Sequence, residues 1–114
     1  MGNHQAALDG VFHALSDATR RAVIQRLGQG PATVSELSKP FDMALPSFMK
    51  HLRVLEENDL IHSTKTGRQR TCRVNPKRLR AAEAWMAEQR ALWEARADRL
   101  EDLVTTLHQQ EKSR

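Results

Sequence analysis

The chain has 114 residues, of which 39% are hydrophobic and 28% charged, and it carries a net charge of +4 with a pI near 9.8. These values fit one globular domain with an appendage and a basic surplus. The single cysteine, Cys72, excludes an intramolecular disulfide framework and a zinc site built from a cysteine cluster. No apolar run is long enough for a signal peptide or a membrane span, so we expect a cytoplasmic protein that does not contact a membrane.

Two helices are predicted between residues 5 and 27. From Gln5 to Leu15, apolar residues recur at spacings of three and four, which predicts a helix with one apolar stripe. Ser16 is the predicted N-cap of a second helix, Asp17 to Leu27, which ends before Gly28. The predicted apolar positions of the two helices are Ala7, Leu8, Val11, Phe12, Leu15, Ala22, Val23, Ile24 and Leu27.

A helix-turn-helix unit is predicted between residues 33 and 57. Thr33 and Glu36 have the spacing of a capping box, so a short third helix begins there, and Pro40 stops it near residue 39. The run Leu45–Glu57 then forms an amphipathic helix, with Pro46 in its first turn. The predicted inner side of this helix holds Leu45, Phe48, Met49, Leu52 and Leu55, and the outer side holds Ser47, Lys50, Arg53, Val54 and Glu57.

The outer side of this fourth helix suits the major groove of DNA. Lysine and arginine pair with phosphates or guanine edges, and small side chains permit close approach. We therefore assign Ser47, Lys50 and the flanking His51 to groove contacts, and Arg53 to the phosphates. A solvated surface helix would carry similar residues, so the neighbouring elements decide between the two interpretations.

A hairpin is predicted after Asn58-Asp59, residues that tolerate the left-handed conformation closing a helix. Its strands are Ile61–Lys65 and Gln69–Val74, joined by Thr66-Gly67-Arg68. Residues 61–82 contain seven basic residues and no acidic one, which favours a polyanionic partner. A hairpin in this position is a wing lying along DNA, although exposed hairpins also carry cations for solubility. The residues that we assign to DNA contacts on the wing are Lys65, Arg68 and Arg70.

A long last helix is predicted from Pro76 to about His108, spanning about 48 Å. Its apolar stripe is longer than a small core can cover, so we expect a second copy of the chain to pack on it. Gln89 and Arg96 interrupt the stripe and leave open whether the helix is kinked. We divide the chain into a DNA-binding part, residues 1–80, and a dimerisation extension, residues 81–114. The predicted dimer contacts are Leu8, Phe12, Met86, Trp93, Leu100, Leu103 and Leu107.

Four motifs in order resemble the ArsR/SmtB-type winged helix-turn-helix transcriptional regulators: Phe12–Ile24, Val34–Leu37, Lys50–Glu56 and Gly67–Arg70. The resemblance covers about residues 6 to 80. It implies a mainly α fold with a small β-hairpin, a recognition helix in the major groove, a wing, and a two-fold dimer built by the first and last helices. From Trp85 onward, the chain resembles the branch with a tryptophan-bearing C-terminal helix and no metal site.

Three positions depart from the family pattern. Met49 replaces a frequent serine of the recognition helix, which removes an expected hydroxyl contact. Ala44 replaces the usual N-cap serine, and such caps contribute about 1 kcal/mol. Asp59 replaces the usual glycine.

The residues offer little for metal or catalytic chemistry. The segment Glu36–Lys39, where related sensors hold a cysteine pair, has none, and His108 and Glu111 form only a single pair with ligand-like spacing. Cys72 is expected to be a small core residue. There is no glycine-rich phosphate loop, nucleophile elbow or pair of catalytic carboxylates, and His13, His51 and His62 do not suggest a triad. We therefore expect no enzyme, no cofactor and no metal site.

The predicted function is that of a homodimeric, sequence-specific regulator binding double-stranded DNA, and the resemblance implies a repressor. The alternative is a winged-helix protein-interaction module that heterodimerises through its C-terminal helix without binding DNA. Salt-dependent binding to duplex DNA distinguishes the two. The effector, the operator sequence and the target genes do not follow from the residues.

Overall fold

The computed structural model describes residues 2–113, with side chains from residue 5 onward. As predicted, the fold is mainly helical with a small antiparallel sheet. Its elements are α1 (Gly2–Leu15), α2 (Ala18–Leu27), β1 (Ala32–Thr33), α3 (Val34–Ser38), α4 (Leu45–Glu57), β2 (Ile61–Thr66), β3 (Gln69–Val74) and α5 (Pro76–Lys112). The chain divides into two compact units, residues 1–82 and residues 83–114.

One apolar core holds the first unit together. Phe48 of α4 is fully buried at its centre, and its ring centroid lies 5.5 Å from that of Phe41. Cys72 is a buried core residue, as predicted, and burial raises the pKa of its thiol. The buried apolar residues are Val11, Ala14, Val23, Leu27, Ala32, Leu37, Phe48, Leu52, Leu55, Leu60, Ile61, Cys72 and Ala82.

The junction between α1 and α2 corrects one prediction. Asp17 caps α2, because its carboxylate accepts the backbone N–H of Arg20 at 3.1 Å. The predicted cap, Ser16, instead donates its hydroxyl to the carbonyl of His13 at 2.6 Å. Serine and aspartate are comparable N-caps, so composition alone could not choose between two adjacent candidates. The extended backbone at Asp17 decides it (φ −107°, ψ 136°).

The sheet has three strands in the order β1-β3-β2, one more than the predicted hairpin. The added strand, β1, has only two residues, and it pairs Thr33 with Thr71 in antiparallel register. Two residues show no periodicity, which explains why the sequence did not reveal this strand. The hairpin itself is confirmed, with Gly67 in the left-handed conformation (φ 62°) at its turn. Because Thr33 also begins α3 through the predicted capping box, β1 ties α3 to the wing.

The C-terminal end of α4 is closed as the sequence predicted, by a left-handed residue at Asp59 (φ 57°). The backbone N–H of Leu60 donates to the carbonyl of Leu55 at 2.9 Å, and that of Asp59 to Glu56 at 3.0 Å, which is the Schellman arrangement. An aspartate carries strain here that glycine would not. Its carboxylate accepts from Arg78 at 3.2 Å, so one of the basic residues after the wing has a structural partner.

The second unit is the C-terminal part of α5. The helix continues without interruption to Lys112, beyond the predicted end at His108. Its large apolar side chains are exposed: Trp85, Met86, Leu92, Trp93, Leu100, Leu103, Val104 and Leu107. Within the described residues, no helix is both long and apolar enough to span a membrane.

Candidate nucleic-acid interface

Helix α4 has the predicted bounds and the predicted orientation over most of its length. Phe48, Leu52 and Leu55 are buried, which fixes the helix in the first unit by one side. Ala44 provides no side-chain cap, as its identity predicted. Of the predicted outer residues, Ser47, Lys50, Arg53 and Glu57 are exposed, whereas Val54 is half-buried against the core.

The first residue of α4 contradicts its predicted position on the inner side. The side chain of Leu45 is 55% exposed, although it shares the helical side of Phe48 and Leu52. Helical periodicity assigns a direction but not a depth, and Leu45 lies one turn before the point where the core begins. Met49, another residue of the predicted inner side, is half-buried.

His51 lies at the edge of the outer side and contacts the junction of α1 and α2. Its side chain is 23% exposed, and its Nδ1 lies 3.2 Å from a guanidinium nitrogen of Arg20 and 3.6 Å from the carboxylate of Asp17. Because a guanidinium can only donate, the tautomer that fits this contact has Nδ1 as the acceptor and its proton on Nε2. Nε2 is therefore the ring atom of His51 that remains for a contact outside the protein.

Arg20 is a positioning residue that the sequence did not reveal. Besides His51, its guanidinium donates to the carbonyl of Ala14 at 2.6 Å and to that of His13 at 3.1 Å. A cation is favoured at these C-terminal carbonyls of α1. Arg20 thus connects the end of α1 to the middle of the predicted recognition helix. Arg20 and His51 are 31 residues apart in the chain, so no local pattern could have identified this contact.

Asp17 carries the negative charge in this cluster. Partial desolvation by itself would raise its pKa, but the hydrogen bond from the Arg20 amide and the electrostatic attraction of Arg20 and of the protonated form of His51 outweigh that effect. The pKa of Asp17 is therefore lowered from the ordinary value of an aspartate. Its carboxylate stays ionised at neutral pH, where it both caps α2 and faces His51.

The wing presents four exposed cations, namely Arg73 and the three residues assigned to DNA contacts, Lys65, Arg68 and Arg70. Lys65 and Arg70 occupy directly opposite positions in the β2–β3 register, and Arg68 lies in the turn. Like charges directly opposite each other across a sheet repel, so this pair lowers the stability of the isolated wing. An anionic partner would remove that repulsion.

The lysine and arginine side chains of α4 and the wing form no ion pair with the described acidic residues. Among residues 5–113, the basic members of ion pairs are Arg26, Arg78, Arg90 and, when protonated, His51, but none of Lys50, Arg53, Lys65, Arg68 and Arg70. These five side chains are therefore available to phosphates. They comprise all the cations that the sequence analysis assigned to DNA.

A groove joins the wing to the start of α4. Its volume is about 570 Å³, and it lies between α3, the first two turns of α4 and the tip of the wing. The residues that line it are Thr33, Val34, Ser35, Ser38, Leu45, Met49, Arg68, Gln69 and Arg70. Two guanidinium groups and several hydroxyls thus border a small apolar surface, and no acidic side chain lines the groove.

The structure offers no candidate metal centre among its described residues, because no three His, Cys, Asp or Glu side chains come together.

The predicted dimer residues fall into two groups. Leu8 is half-buried against the core and Phe12 is 38% exposed on α1, whereas the five on α5 are all exposed, Trp93 the most at 76%. All seven remain predictions for an interface.

The chain is similar in sequence to a helix-turn-helix domain family and to two transcriptional regulators. A helix-turn-helix domain family matches residues 15–64. The regulator Rv2034 of Mycobacterium tuberculosis is 36% identical over 73 residues, which cover 64% of this chain and 68% of that protein. The transcriptional repressor SdpR of Bacillus subtilis is 32% identical over 60 residues, covering 53% of this chain and 67% of the repressor.

Solved structures agree with the fold. A crystal structure of an ArsR family transcriptional regulator superposes with a TM-score of 0.76 at 59% identity, covering 79% of this chain and 93% of that one. A homodimeric winged helix-turn-helix DNA-binding domain from Mycobacterium bovis superposes with a TM-score of 0.57 at 22% identity, covering 82% and 81%. The second likeness concerns the fold alone.

Proposed function

We propose that this chain, which belongs to the ArsR family of winged helix-turn-helix transcriptional regulators, binds a pseudo-palindromic operator as a homodimer and represses transcription by occluding the promoter. The observation that carries the proposal is that the five cations assigned to DNA on α4 and the wing form no ion pair among the described residues. Two of them border the groove beside the start of α4. The sign of regulation rests on the family and on the similarity to a named repressor.

Within this proposal, α4 reads the bases and the wing holds the backbone. Ser47 and Lys50 face the major groove, His51 offers its Nε2 beside them, and Arg53 contacts a phosphate. Lys50→Ala should then change the preference among operator variants, by about 1 to 3 kcal/mol if Lys50 contacts a base edge. Arg68→Ala should weaken all duplexes about equally and lower the slope of log K against log salt by about one unit.

The two variants separate the two roles when both are titrated across a salt series with specific and scrambled duplexes. If Lys50→Ala leaves sequence preference unchanged while Arg68→Ala alters it, the wing reads the bases and the assignment is reversed. If neither variant affects binding, the DNA-binding surface lies elsewhere on the protein.

The homodimer is proposed from the exposed apolar side chains of the second unit. A stripe with Leu100, Leu103 and Leu107 at helical spacing leaves a large apolar surface in water, which a second copy would cover. Changing Leu100 and Leu103 to glutamate should give monomers in sedimentation and weaken operator binding. Thr105→Glu, on the opposite side of the same helix, is the matched control. Variants of the two leucines that stay dimeric at micromolar concentration would contradict this interface.

Selection of bound sequences from random duplex DNA tests the function directly. A two-fold dimer presents two equal recognition helices about one DNA turn apart, so a pseudo-palindrome should emerge. An asymmetric site would argue against the dimeric arrangement. Absence of any enrichment, together with binding that does not depend on salt, would favour the alternative of a protein-interaction module.

A further inference from the structure

We propose that Leu45 is a specificity-determining residue that packs on the C5 methyl group of a thymine in each half-site of the operator. The proposal rests on the proposed function, because it names what one residue of the same surface recognises. It begins from the exposure of Leu45. In the described part of the first unit, Leu45 and Phe12 are the large hydrophobic side chains that are exposed, and Leu45 is the more exposed of the two.

The surroundings of Leu45 fit a DNA strand. It lines the groove of about 570 Å³ together with the half-buried Met49, and Arg68 and Arg70 border the same groove. The apolar surface is therefore small and flanked by cations that lack acidic partners. A folded protein partner would need a wider apolar contact, whereas a nucleotide offers a phosphate for the guanidinium groups and one compact apolar group for Leu45.

The position of Leu45 on its helix points to a base rather than a sugar. It is the first residue of α4, and in helix-turn-helix proteins the N-terminal residues of the recognition helix contact base edges. The thymine methyl is the apolar group that the major groove displays, and aliphatic side chains contact it. Ser47 and Lys50 are available for hydrogen bonds to bases. Leu45 would add a preference for the thymine methyl group, which no polar group of this helix can supply.

The size of the effect follows from the area of one methyl group. Burial of one methyl-sized group from water changes an equilibrium about fourfold. A two-fold dimer makes the contact twice, so the loss of both methyls should weaken binding about fifteenfold. Replacing thymine by deoxyuridine removes this group while leaving Watson–Crick pairing intact.

The experiment uses the full chain and the sequence obtained by selection. Each symmetry-related pair of thymines, one from each half-site, is replaced in turn by deoxyuridine, and dissociation constants are measured by fluorescence anisotropy for the wild type, Leu45→Ala and Leu45→Met. We expect one symmetric pair of thymines at which deoxyuridine weakens the wild type about fifteenfold. The affinity of Leu45→Ala should not change when that pair is replaced by deoxyuridine. Leu45→Met should retain most of the effect of deoxyuridine, because it keeps a large apolar side chain. Thermal melts of the free proteins show that both variants are folded.

Several outcomes would overturn the assignment while leaving the proposed function intact. They are a selected site without a thymine pair, no deoxyuridine effect in the wild type, and an equal effect in the wild type and Leu45→Ala. Unchanged DNA affinity of Leu45→Ala with an altered sedimentation coefficient would assign the groove to a second copy instead. If the wild type enriches no sequence and binds no duplex, the proposed function itself fails, and the assignment of Leu45 fails with it.

Discussion

Replacing Arg20 should destabilise the protein far more than replacing its neighbour Arg21. Arg20→Met keeps much of the aliphatic stem and removes hydrogen bonds to Ala14, His13 and His51 at 2.6, 3.1 and 3.2 Å. Arg21 makes one exposed bond, to the carbonyl of Leu15 at 2.7 Å. The two arginines are adjacent on α2, so Arg21→Met is a matched control.

The magnitude follows from the number and burial of these bonds. A hydrogen bond from a charged donor contributes about 1.5 to 3 kcal/mol, but the bond from Arg20 to His13 is exposed to water and the three are not additive. We expect Arg20→Met to lower the free energy of unfolding by about 2 to 3 kcal/mol. Arg21→Met should lower it by less than about 1 kcal/mol, because water replaces its single bond.

Urea unfolding at one fixed protomer concentration measures both changes, since the stability of the proposed dimer would depend on concentration. A cycle with His51→Gln isolates the contact between Arg20 and α4, for which we expect a coupling above about 0.5 kcal/mol. Equal losses in Arg20→Met and Arg21→Met would refute the reasoning. A coupling of zero would show that Arg20 supports the end of α1 without positioning α4.

Three further changes test other parts of the first unit. Gly10→Ala should destabilise the protein despite the better helix propensity of alanine, because the added Cβ would overlap the Asn58 side chain. That side chain is held in place by its hydrogen bond to the Val54 carbonyl at 2.8 Å. Thermal unfolding should show that adding Asn58→Ala reverses the loss of stability caused by Gly10→Ala. Thr33→Ala should cost about 1 kcal/mol in urea unfolding through the lost cap of α3, whereas Thr33→Ser should cost little. The pKa of Asp17 is lowered in the folded state, so its stabilising effect is complete above the ordinary value of 3.8 and is lost as the pH falls through the lower folded value. The stability difference between the wild type and Asp17→Asn, which keeps a capping oxygen, should therefore shrink below about pH 4; a difference constant down to pH 2 would contradict this.

The sequence predicted those features that depend on local pattern. The bounds of α4 follow from its apolar spacing and Pro46, and the closing residue Asp59 from its tolerance of the left-handed conformation. What the sequence did not reveal depends on contacts that periodicity does not encode. The exposure of Leu45 reflects where the core ends, and the contact of His51 with Arg20 joins residues far apart in the chain.

The two ends of α4 are supported very differently, and the difference bears on how this helix would read DNA. Its C-terminal end is closed by the Schellman bonds at Asp59, and its middle is held by Arg20 through His51. Its N-terminal end has no side-chain cap at Ala44 and leaves Leu45 exposed. A helix fixed in the middle and at the far end presents its first turn at a defined place, so little ordering entropy is lost on binding. The groups that the protein leaves without partners are then those that the proposed operator would engage, and affinity would depend on the fit of the DNA to this turn.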